Sequence, residues 1–407
     1  MSKTEGTSRR EFLQWSAVAG ASAGAAHHCH ASGVSPSDGV RAYRRLGRTG
    51  MEISDISFGS SRLRDHQASV VRFALDQGIN YFDTAESYTG GTSETVLGTV
   101  LKGKRDKIYL TTKKGTRPDT TADEMMGSLD GSLRRLQTDY VDVFMTHAVN
   151  EVERLKSDHW LSFVDQAKQQ GKIRFAGMSG HAGRLAECLE YALDEDMVDV
   201  ILVAFNFGED PGFISKFTKG IDWIAKQPEL PRLLAKAKAK DVGVTVMKTL
   251  RGARLNDMRP YEAPGGTFAQ AAFRWVLSHK NVDAVVITMS SEDQIREFLG
   301  ASGTEGVAAN DIPLLRQYMA LNDDKYCRPN CGACLSACDY GVPISDVLRM
   351  RMYAVDYGDL GVARKEYAGL SVNAQACLSC SATPCQSACV HGLAINELSV
   401  PAHRLLT

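Results

Sequence analysis

The sequence predicts an α/β protein, a closed (β/α)8 TIM barrel followed by a small cysteine-rich helical domain. Three observations carry this. Between Ile53 and Met289 eight short β-rich runs alternate with longer amphipathic ones over about 240 residues, the pattern of parallel strands joined by crossover helices. The first run ends in "FGSSRLRD", which is not the glycine fingerprint that opens a doubly wound dinucleotide sheet. Eight of the ten cysteines lie between Cys327 and Cys389, so the end of the chain follows a different chemistry. A length of 407 residues, 43% of them hydrophobic, is enough for one large domain and one small one.

In chain order, residues 1–40 read as a leader. Arg9 and Arg10 precede Phe12, Leu13 and a weakly apolar, Ala- and Gly-rich run of 12 residues from Trp15 to Ala26. That run is too short to cross a hydrocarbon core as a helix but suits the core of a signal peptide. An arginine pair in that place is an address read by the twin-arginine (Tat) translocon rather than an anchor. A disordered tail with a chance arginine pair is the alternative. The expected location is periplasmic or otherwise exported.

The strands of the barrel, residues 41–300, are "ISDISFGS", "YFDTA", "IYLTTKK", "DVFMTHA", "RFAGMSG", "VDVILVAFN", "GVTVMKTL" and "AVVITM", short runs rich in β-branched or aromatic residues. Residues 301–325 read as a linker with a short helix, and 326–407 as the cysteine-rich domain. A net charge of −1 and a pI near 6.8 leave no basic footprint for nucleic acid. Nothing after the leader is long and apolar enough to suggest a membrane span in the mature chain.

Reactive groups of such a barrel gather where its strands end. Asp83, Lys113 and His147 fall there on three successive strands, and Tyr88 follows Asp83 in the loop. A tyrosine hydroxyl is a poor acid near neutrality, but a neighbouring ammonium stabilises the tyrosinate. Lys113 is expected to lower the Tyr88 pKa in this way. Asp83 would hold the lysine charged and oriented, and His147 would hydrogen-bond a substrate oxygen.

These residues stand in ordered motifs: "RRLGRTGMEISDISFG", "FDTAESYTGGTSETVLG", "SLDGSLRRLQTDYVDVFMTH", "QGKIRFAGMS" and "FRWVLSHKNVDAVV". With them, residues from about 41 to 300 resemble the aldo-keto reductases. The resemblance implies a barrel enzyme that passes a hydride between NAD(P)(H) and a small carbonyl or alcohol substrate. Asp83, Tyr88, Lys113 and His147 fill the places of its catalytic tetrad, with Tyr88 as general acid. It also implies that Gly59 and Ser60 form the turn under the nicotinamide and that Ser179 grips the carboxamide.

Elsewhere the cofactor positions depart from that pattern. Gly180 stands where an Asn usually follows the serine, Leu202 where strand six carries a Gln, and Met247 where strand seven carries a stacking aromatic. In "ITMSSEDQIREF", Thr288, Met289 and Gln294 supply no cation for a 2′-phosphate, so no preference for NADP over NAD follows. Lys248 and Arg251 in "MKTLRG" are candidates for the pyrophosphate, with solvated surface charge as the alternative.

The cysteines form two runs, Cys327, Cys331, Cys334 and Cys338, then Cys377, Cys380, Cys385 and Cys389. "CLSACDYGVPI" and "CQSACVHGLAI" recur at a spacing of 51 residues, an internal duplication. This tail resembles a bacterial two-cluster ferredoxin with a helical insertion. The resemblance implies two 4Fe–4S clusters, the fourth cysteine of each run ligating the other cluster. Cys327, Cys331 and Cys334 would then share a cluster with Cys389, and Cys377, Cys380 and Cys385 with Cys338. Each run has one lengthened gap, and Asp339 and Val390 replace the usual proline. Two zinc sites or disulfides are the alternatives.

The combined expectation is an exported reductase whose clusters transfer electrons, through a redox partner protein, or serve structure. The second reading is a redox-sensing or electron-transfer protein that uses the barrel as a non-catalytic scaffold. The intact tetrad speaks against it and the eroded cofactor positions speak for it. Clusters assembled in the cytoplasm require a folded protein before export, which is what the Tat route carries. Changing Arg9→Lys and Arg10→Lys together is expected to keep the protein in the cytoplasm. Fractionation that finds export unchanged contradicts the leader assignment.

Overall fold

The computed structural model describes residues 39–181, 184–208, 229–250, 258–322, 327, 331–355 and 360–407. The leader through residue 38, Arg251 and most of the loop before Glu229 lie outside the described residues. Tyr43–Arg45 (β1) and Glu52–Ser54 (β2) pair as an antiparallel hairpin. Eight parallel strands follow: Ile56–Gly59 (β3), Tyr81–Asp83 (β4), Tyr109–Lys114 (β5), Val141–Thr146 (β6), Ile173–Gly180 (β7), Val200–Ala204 (β8), Gly243–Met247 (β9) and Ala284–Thr288 (β10). They close into a barrel in that order, with β10 against β3.

The expected first strand, "ISDISFGS", therefore splits. Ile53 and Ser54 belong to the hairpin, because Asp55 leaves the ladder. Its backbone N–H goes to the Ala42 carbonyl at 3.1 Å, and its carboxylate accepts from Ser302 Oγ at 2.6 Å and the Gly303 N–H at 2.8 Å.

Strand alternation sorts the side chains. Val143, Met145, Val200, Leu202, Ala284 and Val286 pack together inside the barrel. Their neighbours Phe144, Ile201, Val203 and Val285 pack outward among the helices. Leu46, Met51 and Ile53 of the hairpin join the interior set, and Leu46 rests on Gly243, the first residue of β9. The hairpin thus plugs the end where the strands begin, which leaves their C-terminal ends as the working face.

Helix starts follow local chemistry. Thr121 with Glu124, and Thr267 with Gln270, form reciprocal capping boxes before the helices Ala122–Leu136 and Phe268–Leu277. The short helix expected after residue 301 is Asp311–Asn322. It is built into the barrel wall: Leu314, Leu315, Tyr318 and Met319 join the outer core, and Asp311 takes two hydrogen bonds from buried Arg274 at 2.6 and 2.8 Å.

The tail has its own small core, in which Val342, Ile344, Val347, Leu348, Leu393, Ile395 and Ala402 meet. Its duplication is visible in the backbone. Gly341 and Gly392 both have φ of 63°, a left-handed turn that suits glycine. Their N–H groups return to the Cys338 and Cys389 carbonyls at 3.0 and 3.1 Å. Each turn leads into a helix beginning at the matched isoleucine, Ile344–Val355 and Ile395–Leu406. No helix of the described residues is long and apolar enough to cross a membrane.

Gly98, in the helix Thr92–Leu101, shows how closely the barrel wall is packed. A Cβ there would collide with the backbone of Arg135 and Leu136 on the neighbouring helix. Gly98→Ala is expected to destabilise the chain by about 2 kcal/mol, as overpacking typically does. Urea unfolding that shows an unchanged midpoint contradicts this packing.

Candidate active site

Neighbouring strands place the tetrad residues side by side. Asp83 ends β4 and Lys113 lies on β5. Lys113 Nζ donates to Asp83 Oδ1 at 2.5 Å and to the Thr84 carbonyl at 2.6 Å. Both side chains are buried, at 0% and 3% exposure. Burial lowers the Lys113 pKa and raises that of Asp83, while each partner pulls the other back towards its charged form. Asp83 Oδ2 makes no hydrogen bond among the described residues.

Tyr88 and His147 complete the group. Lys113 Nζ lies 5.0 Å from the centre of the Tyr88 ring, and the Tyr88 and His147 rings meet edge to face at 5.6 Å. His147 follows β6, its N–H held by the Lys114 carbonyl at 2.8 Å. Burial pushes its pKa down to about 3, helped by Lys113, Arg154 and Lys248, so the imidazole is neutral near pH 7. The expected lowering of the Tyr88 pKa is not found. Burial carries it well above its usual value, and Asp83 and Glu366 add to the rise. A phenol with its pKa raised in this way keeps its proton until an acceptor arrives.

The cofactor-side expectations divide. Ser60 is fully buried, its hydroxyl donating to the Asp83 carbonyl at 2.7 Å and accepting from Ser93 Oγ at 2.7 Å. It anchors the catalytic strand and has no free hydroxyl proton for a cofactor. At Gly59 a Cβ would crowd the Ile287 and Thr288 backbone of β10 at 2.9–3.0 Å, so this glycine lets two strands approach. Ser179 fits a nicotinamide better: its Oγ accepts the Ala148 N–H at 3.1 Å, which leaves the hydroxyl proton to donate. Gly180 could not be the usual amide without displacing Leu185, whose side chain fills the place of its Cβ.

Lys248 neither floats in solvent nor stands by itself. Its Nζ donates to Tyr353 Oη at 3.1 Å and lies 4.8 Å from that ring's centre. Tyr353 belongs to the tail helix Ile344–Val355. On the same helix, Arg349 Nη1 donates to the His181 carbonyl at 3.1 Å, and Asp346 accepts from Asn150 Nδ2 at 3.2 Å. The loops after β6, β7 and β9 are therefore all held by one helix of the tail. The sequence carried no local signal for this, because the partners lie 105 to 196 residues apart.

The thiols gather across the duplication. Cys338, Cys377, Cys380 and Cys385 line one cavity of about 130 Å³. Burial pushes the Cys377 thiol up to about 11, with Cys338, Cys385 and Cys380 adding in that order. Cys334 is pushed up to about 12, by burial and then by Cys389, Cys331 and Cys385. Each run's fourth cysteine thus faces the other run. Among the described residues no three His, Cys, Asp or Glu side chains converge on a point that could hold a single metal ion.

A closed barrel whose strand ends bring together buried Asp83 and Lys113 with half-buried Tyr88 and His147 is an arrangement suited to an oxidoreductase. The aldo/keto reductase family model matches residues 55–312, and the chain belongs to that family of NAD(P)-dependent oxidoreductases. It is 29% identical to L-galactose dehydrogenase of Arabidopsis thaliana, over 63% of this chain and 87% of that one. It is 24% identical to L-glyceraldehyde 3-phosphate reductase of Escherichia coli K12, over 69% and 93%. Among solved structures, the thermostable aldo-keto reductase Tm1743 in complex with the inhibitor epalrestat superposes with a TM-score of 0.53 at 25% identity, over 68% of this chain and 99% of that one. The holo form of AKR11C1 from Bacillus halodurans gives 0.55 at 21% identity, over 68% and 95%.

Tyr88→Phe keeps the ring and removes the proton. It is expected to lower kcat/KM for aldehyde reduction by about 100-fold or more, the usual loss with a general acid. Activity that survives the change contradicts the tetrad chemistry.

Proposed function

We propose that this chain is an exported reductase of small hydroxylated aldehydes or ketones whose tail carries two 4Fe–4S clusters. The observation that carries the catalytic part is the buried Lys113–Asp83 pair with Tyr88 and His147 beside it. When bound, the nicotinamide supplies the hydride. Ser179 would hold its carboxamide and Met247 would offer it an apolar surface. His147, neutral, orients the substrate oxygen through its N–H. Tyr88 gives its phenolic proton to that oxygen as negative charge develops there, and the Lys113 ammonium, fixed by Asp83, then faces the tyrosinate. In the oxidising direction Tyr88 takes the proton back. The sugar-derived names of the relatives support a hydroxylated substrate.

Support for the clusters comes from eight thiols in two duplicated runs and from the crossed approach of Cys338 to the second run and Cys389 to the first. Crossed ligation would staple the halves of a domain too small to be comfortable on its apolar core alone. Export through the Tat translocon rests on Arg9 and Arg10 and on the need to carry assembled clusters folded. The clusters would pass electrons to a redox partner or hold the tail in place over the mouth. The assembled tetrad favours this reading over an idle scaffold.

Cys389→Ala is expected to disturb the cluster of Cys327, Cys331 and Cys334 while the other keeps four ligands. Paramagnetic spectra of the single variants test this. Spectra that place Cys338 on the cluster of Cys331 contradict the crossing.

A further inference from the structure

Arg154 closes the short turn Val152–Arg154 that follows β6, and the mechanism above gives it no part. Its guanidinium folds back onto the loop that carries His147. Nη2 donates to the His147 carbonyl at 2.7 Å and Nη1 to the Ala148 carbonyl at 2.9 Å, a planar fork set on two consecutive peptides. Nη2 also lies 3.5 Å from Thr116 Oγ1 in the loop after β5, and Thr116 is tied in turn to Thr146 of β6 at 2.8 Å. Arg105, Arg135 and Arg274 in the barrel wall each meet a carboxylate. The hydrogen bonds of Arg154 among the described residues all go to the loops after β5 and β6.

The fork falls on a strained residue. Ala148 has φ of 53°, a left-handed conformation that a residue with a Cβ keeps only where its surroundings over-determine it. In an extended chain consecutive carbonyls point to opposite sides, whereas the left-handed turn at Ala148 brings both to one guanidinium. The remaining backbone groups are held as well. The His147 N–H donates to the Lys114 carbonyl at 2.8 Å and the Val149 N–H to the Ser179 carbonyl at 2.8 Å, while the Ala148 N–H donates to Ser179 Oγ at 3.1 Å. The backbone of His147 is thus fixed from both sides, and with it the direction of the imidazole, whose ring meets that of Tyr88. Arg154 supplies both of the bonds to the carbonyls.

We infer that Arg154 is the positioning residue of His147: its fork on two carbonyls holds Ala148 in the left-handed conformation that aims the imidazole at the substrate oxygen beside Tyr88. Arg154 acts through His147 and transfers no proton. Without the fork Ala148 relaxes towards an ordinary φ, and the imidazole moves off the line to the oxygen it must meet in the transition state. A displacement of about 1 Å in such a group costs about 100-fold in rate. This inference rests on the reductase reading.

The test uses the purified full chain with Arg154→Ala and Arg154→Lys, each alone and combined with His147→Ala. Oxidation of NADH or NADPH by glyceraldehyde reads kcat/KM. Arg154→Ala is expected to lower it about 100-fold, and Arg154→Lys, which keeps the charge but not the planar fork, about tenfold. In the His147→Ala background neither change is expected to lower the residual rate by more than about twofold, because residues that act as a unit are not additive. A merely structural arginine would cost the same factor in both backgrounds. Histidine-selective nitrogen-15 labelling reads the ring without substrate, the His147 signals being those lost in His147→Ala. They are expected to be single in the wild type and broadened or doubled in Arg154→Lys, which also carries the test where Arg154→Ala does not fold. An equal fall in both backgrounds, kcat/KM unchanged in both Arg154 variants, or His147 signals unaltered in Arg154→Lys each overturn the inference. A wild-type chain that oxidises neither nucleotide with glyceraldehyde and binds neither overturns the reductase reading instead, and the His147 signals then still decide whether Arg154 holds that ring.

Discussion

The Lys113–Asp83 pair is the constraint around which this molecule is arranged. Taking two charges out of water is costly, and the cost is offset only by close geometry and further hydrogen bonds. Here the pair closes at 2.5 Å and the Thr84 carbonyl adds a second acceptor at 2.6 Å. That geometry requires β4 and β5 in register, Asp83 opposite Thr111. It also requires Asp83 to be held from behind, which the Ser60 hydroxyl does through the Asp83 carbonyl. Residues that look like cofactor contacts by their place in the sequence are thus used to hold the charge pair.

The same constraint explains the tail. A proton donor beside a buried ion pair works best where water is excluded, because electrostatic interactions are stronger there. The mouth of a barrel is open by construction. In this chain Asn150, His181 and Lys248, on the working-face loops after β6, β7 and β9, are all tied to the helix Ile344–Val355, and Glu366 reaches Tyr88 electrostatically. That helix starts six residues after Cys338 and directly after the left-handed turn at Gly341. Whatever the thiols hold therefore governs the cover of the reductase site as well as the fold of the tail.

Much of this was legible in the sequence, for physical reasons. The strands announce themselves because parallel strands buried on both faces must be short, apolar and β-branched, as "VDVILVAFN" and "GVTVMKTL" are. The tetrad is legible because Asp83, Lys113 and His147 each end such a run. The duplicated cysteine flanks foretell the matched turns at Gly341 and Gly392. What the sequence hides is contact at long range. The Lys248–Tyr353 bond joins residues 105 apart, so Lys248 reads locally as a phosphate ligand. The sequence points the Tyr88 pKa the wrong way for the same reason: a nearby lysine is visible in the motif, whereas the burial of the ring and the influence of Glu366 are not. Ser60 reads as a cofactor residue because nothing local reveals that Ser93 and Asp83 occupy its hydroxyl.

As proposed here, metal clusters fold the domain that lies against the reductase site. The most direct measurement of this is the iron, acid-labile sulfide and nicotinamide content of one sample of the full chain, purified without oxygen and equilibrated with NADH. The expected result is about eight iron and eight sulfide per chain, as two 4Fe–4S clusters require, together with bound nucleotide. Stoichiometric zinc without sulfide, or a full iron complement in a chain that takes up no nucleotide, would contradict it.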